Sequence, residues 1–181
     1  MEKANDEVCW KAKWRIDKFR DPANEVAGAL QNGIPMAQAV SLYGEAFICA
    51  EEFEANIALN EGLQELIDVI CGLGTPTKWD SANARLGVGD SNAAENASQT
   101  GLQASSNKLF KAMDSGYPQR SGQAAEWRAT FGADEANFAW EEYTVVNALD
   151  DSGKNLNRKT ASKGTKASGE TWTLSLQITF S

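Results

Sequence analysis

The chain of 181 residues contains no histidine. That absence removes the Ser-His-Asp and Cys-His arrangements, most catalytic zinc sites and the usual general base near neutral pH. Cysteine is scarce: Cys9, Cys49 and Cys71 are odd in number, widely spaced and set among apolar neighbours. This pattern favours buried free thiols over a disulfide framework or a zinc site. Positive charge is also in deficit, with 17 Lys and Arg against 25 Asp and Glu for a net charge of −8. Nucleic-acid affinity rests on cations neutralising phosphates, so no nucleic-acid partner is expected, and an acidic surface suits solubility or a basic protein partner. No run approaches the ~18 apolar residues of a membrane span, so no membrane partner is expected. Met1-Glu-Lys-Ala-Asn-Asp-Glu lacks the apolar core of a signal peptide, and synthesis in a cytoplasm is the expectation.

What the chain does have is enough apolar material for a core, at 42% hydrophobic residues. The clearest pattern is at its end. Trp172, Leu174, Leu176, Ile178 and Phe180 alternate with Thr171, Thr173, Ser175, Gln177 and Thr179. That period predicts a half-buried strand over Glu170 to Phe180, with its hydroxyl and amide face wet or against a partner. A final strand ties down its own terminus, and the expectation is a compact unit with no shaft or second domain after it. Near the start, Val8, Trp10, Trp14 and Ile16 alternate with Lys11, Lys13, Arg15 and Asp17, which predicts another amphipathic strand ending at Arg20-Asp21-Pro22.

Between these strands the pattern is mixed. Ala23 to Pro35 is small and polar and reads as a loop. Ala37 to Leu59 fits helical or strand spacing, with a strand favoured over Phe53 to Leu59. Asn60 has the character of an N-cap, and Leu63, Leu66, Ile67 and Ile70 follow at i, i+3, i+4 and i+7 before Gly72 and Gly74, which predicts a helix. Ala84, Leu86 and Val88 alternate into a turn at Gly89-Asp90-Ser91 and predict a short strand. Ser98 to Met113 is compatible with one helix or with a loop and a shorter helix.

Tyr117-Pro118 and Ser121-Gly122 are turn chemistry. Ala125, Trp127, Ala129 and Phe131 then predict a strand, and Phe138 to Val146 predicts another joined to it as a hairpin. Leu156 to Ala161 returns as a strand before the last one. The fold class is therefore α+β, mainly β: an antiparallel β-sandwich or meander with one or two packed helices. The chain divides into residues 1–55, a strand and loop forming an anchoring segment, and residues 56–181, the main β-rich domain with a helix near 61–71.

Without histidine an enzyme would need carboxylates. Glu141-Glu142, Asp150-Asp151 and Asp134-Glu135 are available, but adjacent residues on a strand point to opposite faces, so Glu141 and Glu142 cannot form a catalytic pair by themselves. Solvated charges at turns account for them better. Gly87-Val88-Gly89 lacks a third glycine at Asn92 and a βαβ context, so a dinucleotide site is rejected in favour of a strand entering a turn where glycine relieves a positive φ. Asp80, Asp90 and Asp114 have no EF-hand spacing. The expectation is no catalytic residue, no cofactor and no metal. Of the six tryptophans, Trp10, Trp14, Trp127, Trp140 and Trp172 lie in strand-like segments and read as core. Trp79 lies among Thr77, Lys78 and Asp80 and is the candidate partner contact.

Asn83-Ala-Arg-Leu-Gly-Val-Gly-Asp-Ser91, Ala97-Ser-Gln-Thr-Gly-Leu102 and Lys111-Ala-Met-Asp-Ser-Gly-Tyr-Pro118 resemble a family of tailed-bacteriophage structural proteins. Trp127-Arg-Ala-Thr-Phe131, Ala136-Asn-Phe-Ala-Trp-Glu-Glu142, Leu156-Asn-Arg-Lys159 and Gly164-Thr-Lys-Ala-Ser-Gly169 are similar to the same group in order and spacing. The resemblance covers about residues 56–181. It implies a non-enzymatic virion structural protein, made in the host cytoplasm and located in the virion. A capsid decoration or cement protein bound to the major capsid protein is the first expectation. The alternative is a tail fibre, collar or adaptor protein on tail or portal components. The likeness to a collar-type domain is partial, because Glu142-Tyr143-Thr144 stands where that group has Glu followed by an aromatic or Ile and then Gly. A homo-oligomer is expected in either place, with a trimer as the favoured state.

Overall fold

The computed structural model describes residues 10–54 and 57–180. Val8 and Cys9 lie outside the described residues. Alternation from Trp10 onward produces β1 (Trp10–Arg20), and the chain then folds two short helices, α1 (Glu25–Gln31) and α2 (Met36–Leu42), before β2 (Phe47–Glu54). β3 (Ile57–Ala58) leads into α3 (Asn60–Cys71). β4 (Arg85–Gly89), β5 (Lys108–Ala112), β6 (Gln119–Ser121) and β7 (Ala124–Phe131) follow, then β8 (Glu142–Val146), β9 (Asn157–Thr160) and β10 (Glu170–Phe180).

The strands form two five-stranded antiparallel sheets, ordered β2-β1-β10-β7-β6 and β3-β9-β8-β4-β5. They pack face to face as a mainly β sandwich with a few helices. In the first sheet Trp14, Leu176 and Trp127 lie side by side in register, and so do Ile16, Leu174 and Ala129. Their inward faces meet Leu86, Val88, Tyr143 and Val145 of the second sheet in one buried cluster. Trp14 lies 5.8 Å from Tyr143 between ring centroids, and Trp140 stands edge-on to Phe131 and Trp172, each at 4.9 Å. The final strand has the predicted bounds. Residues 10–54 supply β1 and β2 to the same sheet as β10 and β7, so the two sequence spans share one sheet.

Several expectations change. Ala23 to Pro35 holds α1 instead of a loop, because Asp21 caps it: its carboxylate accepts the N–H groups of Glu25 and Ala27. Val26 and Leu30 then pack with Phe19 and Ala39 in a second buried cluster. That helical pair covers part of the outer face of the first sheet, so Thr171 and Thr173 of β10 are fully buried rather than wet. Ala37 to Leu59 resolves into α2, β2 and β3, and the strand favoured from Phe53 begins earlier, at Phe47.

Ser98 to Met113 contains β5 and no helix. Its pairing partner β4 offers Gly87, where a Cβ would stand 2.7 Å from the Phe110 ring and 2.9 Å from Thr144 Cγ2. At Gly89 a Cβ would lie 2.5 Å from Glu142 Oε1. These glycines therefore serve close approach between strands and not a positive φ. β7 and β8 do not form a hairpin, since they belong to opposite sheets and residues 132–141 cross between them. The thiols also differ from expectation: Cys49 is half-buried and Cys71 exposed, both free.

The helix predicted near 61–71 is present, with Leu59 rather than Asn60 at its N-cap and Gly72 left-handed at its end. Its docking is unusual. Gly62 is the buried residue and Leu66 packs on the core, while Leu63, Ile67 and Ile70 face outward. A Cβ at Gly62 would collide with Leu156 Cα and Asn155 O, both backbone atoms that cannot swing aside.

This contact predicts the sign of one substitution. In an open helix Gly→Ala stabilises by about 1 kcal/mol. Gly62→Ala should instead lower stability by about 1–3 kcal/mol through overpacking. Urea unfolding of the two proteins measures the difference.

Candidate functional site

The carboxylates singled out in the sequence have structural partners. Glu142 is fully buried; it accepts the N–H groups of Gln103 and Ala104 and lies 2.8 Å from Arg158 Nε and Nη2. Arg158 in turn donates to Ala93 O and Gln99 Oε1, so this pair holds the segment 90–107 over the outer face of the second sheet. Glu141 points the other way and accepts from Ser162. Asp114 takes the equivalent role on the first sheet, accepting from Arg128 Nε at 2.9 Å and from the Thr130 backbone and hydroxyl. Burial pushes its carboxyl up, against the pull of Thr130 and Arg128. Arg128 also donates to Leu30 O and Ile34 O, which fastens the α1–α2 pair to the sheet.

The remaining acids of the sequence reading are dispersed. Asp80 accepts from Asn83 within its own turn, Asp90 accepts from Asn107, Asp150 accepts from Ser152, and Asp151 pairs with Lys108. Asp134 accepts from Ser168, and Glu135 pairs with Lys111. Among the described residues no group of three or more His, Cys, Asp or Glu is arranged to hold a metal ion.

Trp79, expected at the surface, is only 8% exposed and belongs to the main core. Its indole N–H donates to Lys154 O, and its own carbonyl accepts the indole N–H of Trp127 at 2.9 Å. The polar residues around it in sequence point away while the ring turns inward. It does reach one surface feature, an apolar groove of about 410 Å³ lined by Trp79, Trp127, Leu66, Val69, Ala125 and Pro118, with Lys78 and Arg120 at its rim.

Beside this groove stands the outward ridge of α3. Leu63 is 36% exposed, Ile67 55% and Ile70 74%, and Leu73 just past the helix is 54% exposed. Their spacing predicted the helix but not its surroundings, because a 3.6-residue period reports that one face is apolar and not which body covers it. The acids on this helix are partly spent inside the molecule: Glu61 accepts from Asn155 and Glu65 from Thr77.

A second feature, missed in the sequence, lies on the outer face of the first sheet where α2 overhangs it. A cleft of about 550 Å³ runs between Met36, Ala37 and Val40 on the helical side and Arg15, Glu126 and Ser175 on the strands. It continues into a hollow of about 150 Å³ that reaches Lys13, Glu52 and Gln177. The charged alternation of β1 was visible, but only the strand order brings Arg15, Ser175 and Arg128 into one row and Lys13, Gln177 and Glu126 into the next. Burial pushes the Glu126 carboxyl up, opposed by Arg128 and Arg15.

Comparison with protein families, curated proteins and solved structures finds no match to the chain.

Because Trp79 is core, its removal should act on folding first. Trp79→Ala is expected to cost about 3–5 kcal/mol of stability, the range for deleting a large buried aromatic. Denaturant unfolding measures this, and an exposed contact residue would instead change stability by less than about 0.5 kcal/mol.

Proposed function

We propose that the protein is a non-enzymatic structural component of a bacteriophage virion, a capsid decoration or cement protein that packs on neighbouring capsid subunits through α3. The observation that carries the docking is the ridge of Leu63, Ile67, Ile70 and Leu73 on a helix whose other side is already seated. Apolar side chains left in water forgo about 25 cal/mol per Å² of area that a partner would cover. The virion assignment rests on the resemblance of residues 56–181 to phage structural proteins.

A cement protein acts by mass action. It binds the assembled lattice better than free subunits and so shifts the shell toward the assembled state. A symmetric homo-oligomer, with a trimer as the proposed state, would present several copies of the ridge to a repeating lattice. The half-buried edge of the groove, with Trp79 and Trp127 as its floor, would accept side chains of the capsid subunit next to the ridge.

The experiment is a copy count on purified tailed virions and tail-free heads. Hundreds of copies kept on heads are expected for decoration; a handful lost with the tail would replace that reading with the tail adaptor. Ile67→Asp combined with Ile70→Asp should leave the melting temperature close to the parent, since both positions are exposed. It should lower occupancy on particles at least tenfold, a loss of about 1.4 kcal/mol or more, as expected of central apolar anchors. Full occupancy of the double variant would remove α3 from the interface.

A further inference from the structure

The cleft beneath α2 has a charge count that does not close. Lys13 Nζ lies 2.8 Å from Glu52, Arg15 Nη2 2.6 Å from Asp17, and Arg128 Nε 2.9 Å from Asp114. Each cation of the cleft thus has its own carboxylate. Glu126 has neither a hydrogen bond nor an ion pair among the described residues, although it is half-buried in the same wall. One negative charge is left over in a partly desolvated site, within the field of Arg128 and Arg15 but bonded to neither.

The neighbours of that carboxylate narrow what would neutralise it. Gln177 stands beside Glu126 in register, Ser175 beside Arg128, and neither side chain has a hydrogen-bond partner among the described residues. The Ser175 hydroxyl and Gln177 carbonyl oxygens are therefore free acceptors next to a free carboxylate. A primary ammonium carries three N–H donors and suits three such oxygens, whereas a planar guanidinium would need its donors in one plane. Across the cleft Met36, Ala37 and Val40 form an apolar wall that suits a methylene chain. An anion would meet guanidiniums that are already paired, and it would be repelled by Glu126.

We infer that this cleft binds a primary ammonium borne on an aliphatic chain, with Glu126 as its counter-charge and Ser175 and Gln177 as further acceptors. The chemistry is that of a lysine side chain on a partner protein or of a free alkylamine. This inference does not rest on the α3 interface, and either can fail without the other.

The protein provides its own reporter, because Met36 is one of only three methionines and lines the cleft. The full chain labelled with 13C at the methionine methyls is titrated with n-butylammonium chloride, with n-butanol in matching sodium chloride as the neutral control. The expected result is a saturable shift of the Met36 methyl with the ammonium and none with the alcohol. Glu126→Gln should weaken the ammonium response at least tenfold while the melting temperature holds. Equal responses to amine and alcohol, no response to either, or an unchanged response in Glu126→Gln would overturn the inference. The alcohol control uses the unaltered chain, so the test does not depend on the variant folding. Capped lysine (Nα-acetyl-lysine N-methylamide) binding more tightly than butylammonium would assign the site to a protein side chain, and the reverse order would assign it to a free amine.

Discussion

The pairing of β1 with β10 is the interaction on which the rest of the molecule depends. Eleven residues of one strand face eleven of the other without a break in register, from Trp10 opposite Phe180 to Arg20 opposite Glu170. β10 is the middle strand of its sheet, and its other edge carries β7 and through it β6. A one-residue slip would turn Trp14, Ile16, Leu174 and Leu176 out of the core together, so burial on one face fixes the register of the whole sheet. The contact is also highly non-local, joining residues 10–20 to 170–180, which places the ordering entropy of the intervening segments ahead of the gain and favours slow folding.

On both sheets the outer face is closed in a similar way. A buried arginine pairs with a buried carboxylate and uses its remaining N–H groups to hold an irregular segment: Arg128 with Asp114 under the α1–α2 pair, Arg158 with Glu142 under residues 90–107. Buried pairs of this kind add little net stability over apolar residues of the same size, but removing one partner costs about 3–5 kcal/mol. Their effect is to fix where covering segments sit. The surfaces they leave uncovered, α3 with its groove and the cleft beneath α2, are the ones available for partners.

How much of this could be read from the residues follows from what each signal reports. Strict alternation located β1, β7 and β10, and the i, i+3, i+4, i+7 spacing located α3, because both periods are backbone properties. α1 was missed because its start depends on Asp21, whose carboxylate caps the helix while also accepting from Thr171 of a strand 150 residues away. β5 was misread because the apolar residues of 98–113, its own Leu109 and Phe110 among them, fit two periods, and what decides is the space that Gly87 leaves for Phe110. The β7–β8 hairpin failed since a short connection can cross between sheets when an aromatic such as Trp140 fills the corner. Trp79 shows the converse limit: polar neighbours in sequence do not say which way a large ring turns. The cleft around Glu126 required strand order, which no local pattern carries.

The central claim is that the sandwich is complete in itself while α3 is an element seated on one side and left open for a partner on the other. Hydrogen–deuterium exchange of the free protein and of the protein on purified virions tests it most directly. The account predicts that amides of β1 and β10 exchange slowly and equally in both states, and that amides of 60–71 exchange by local opening in the free protein and become protected on particles. Equal exchange of α3 in the two states would contradict it.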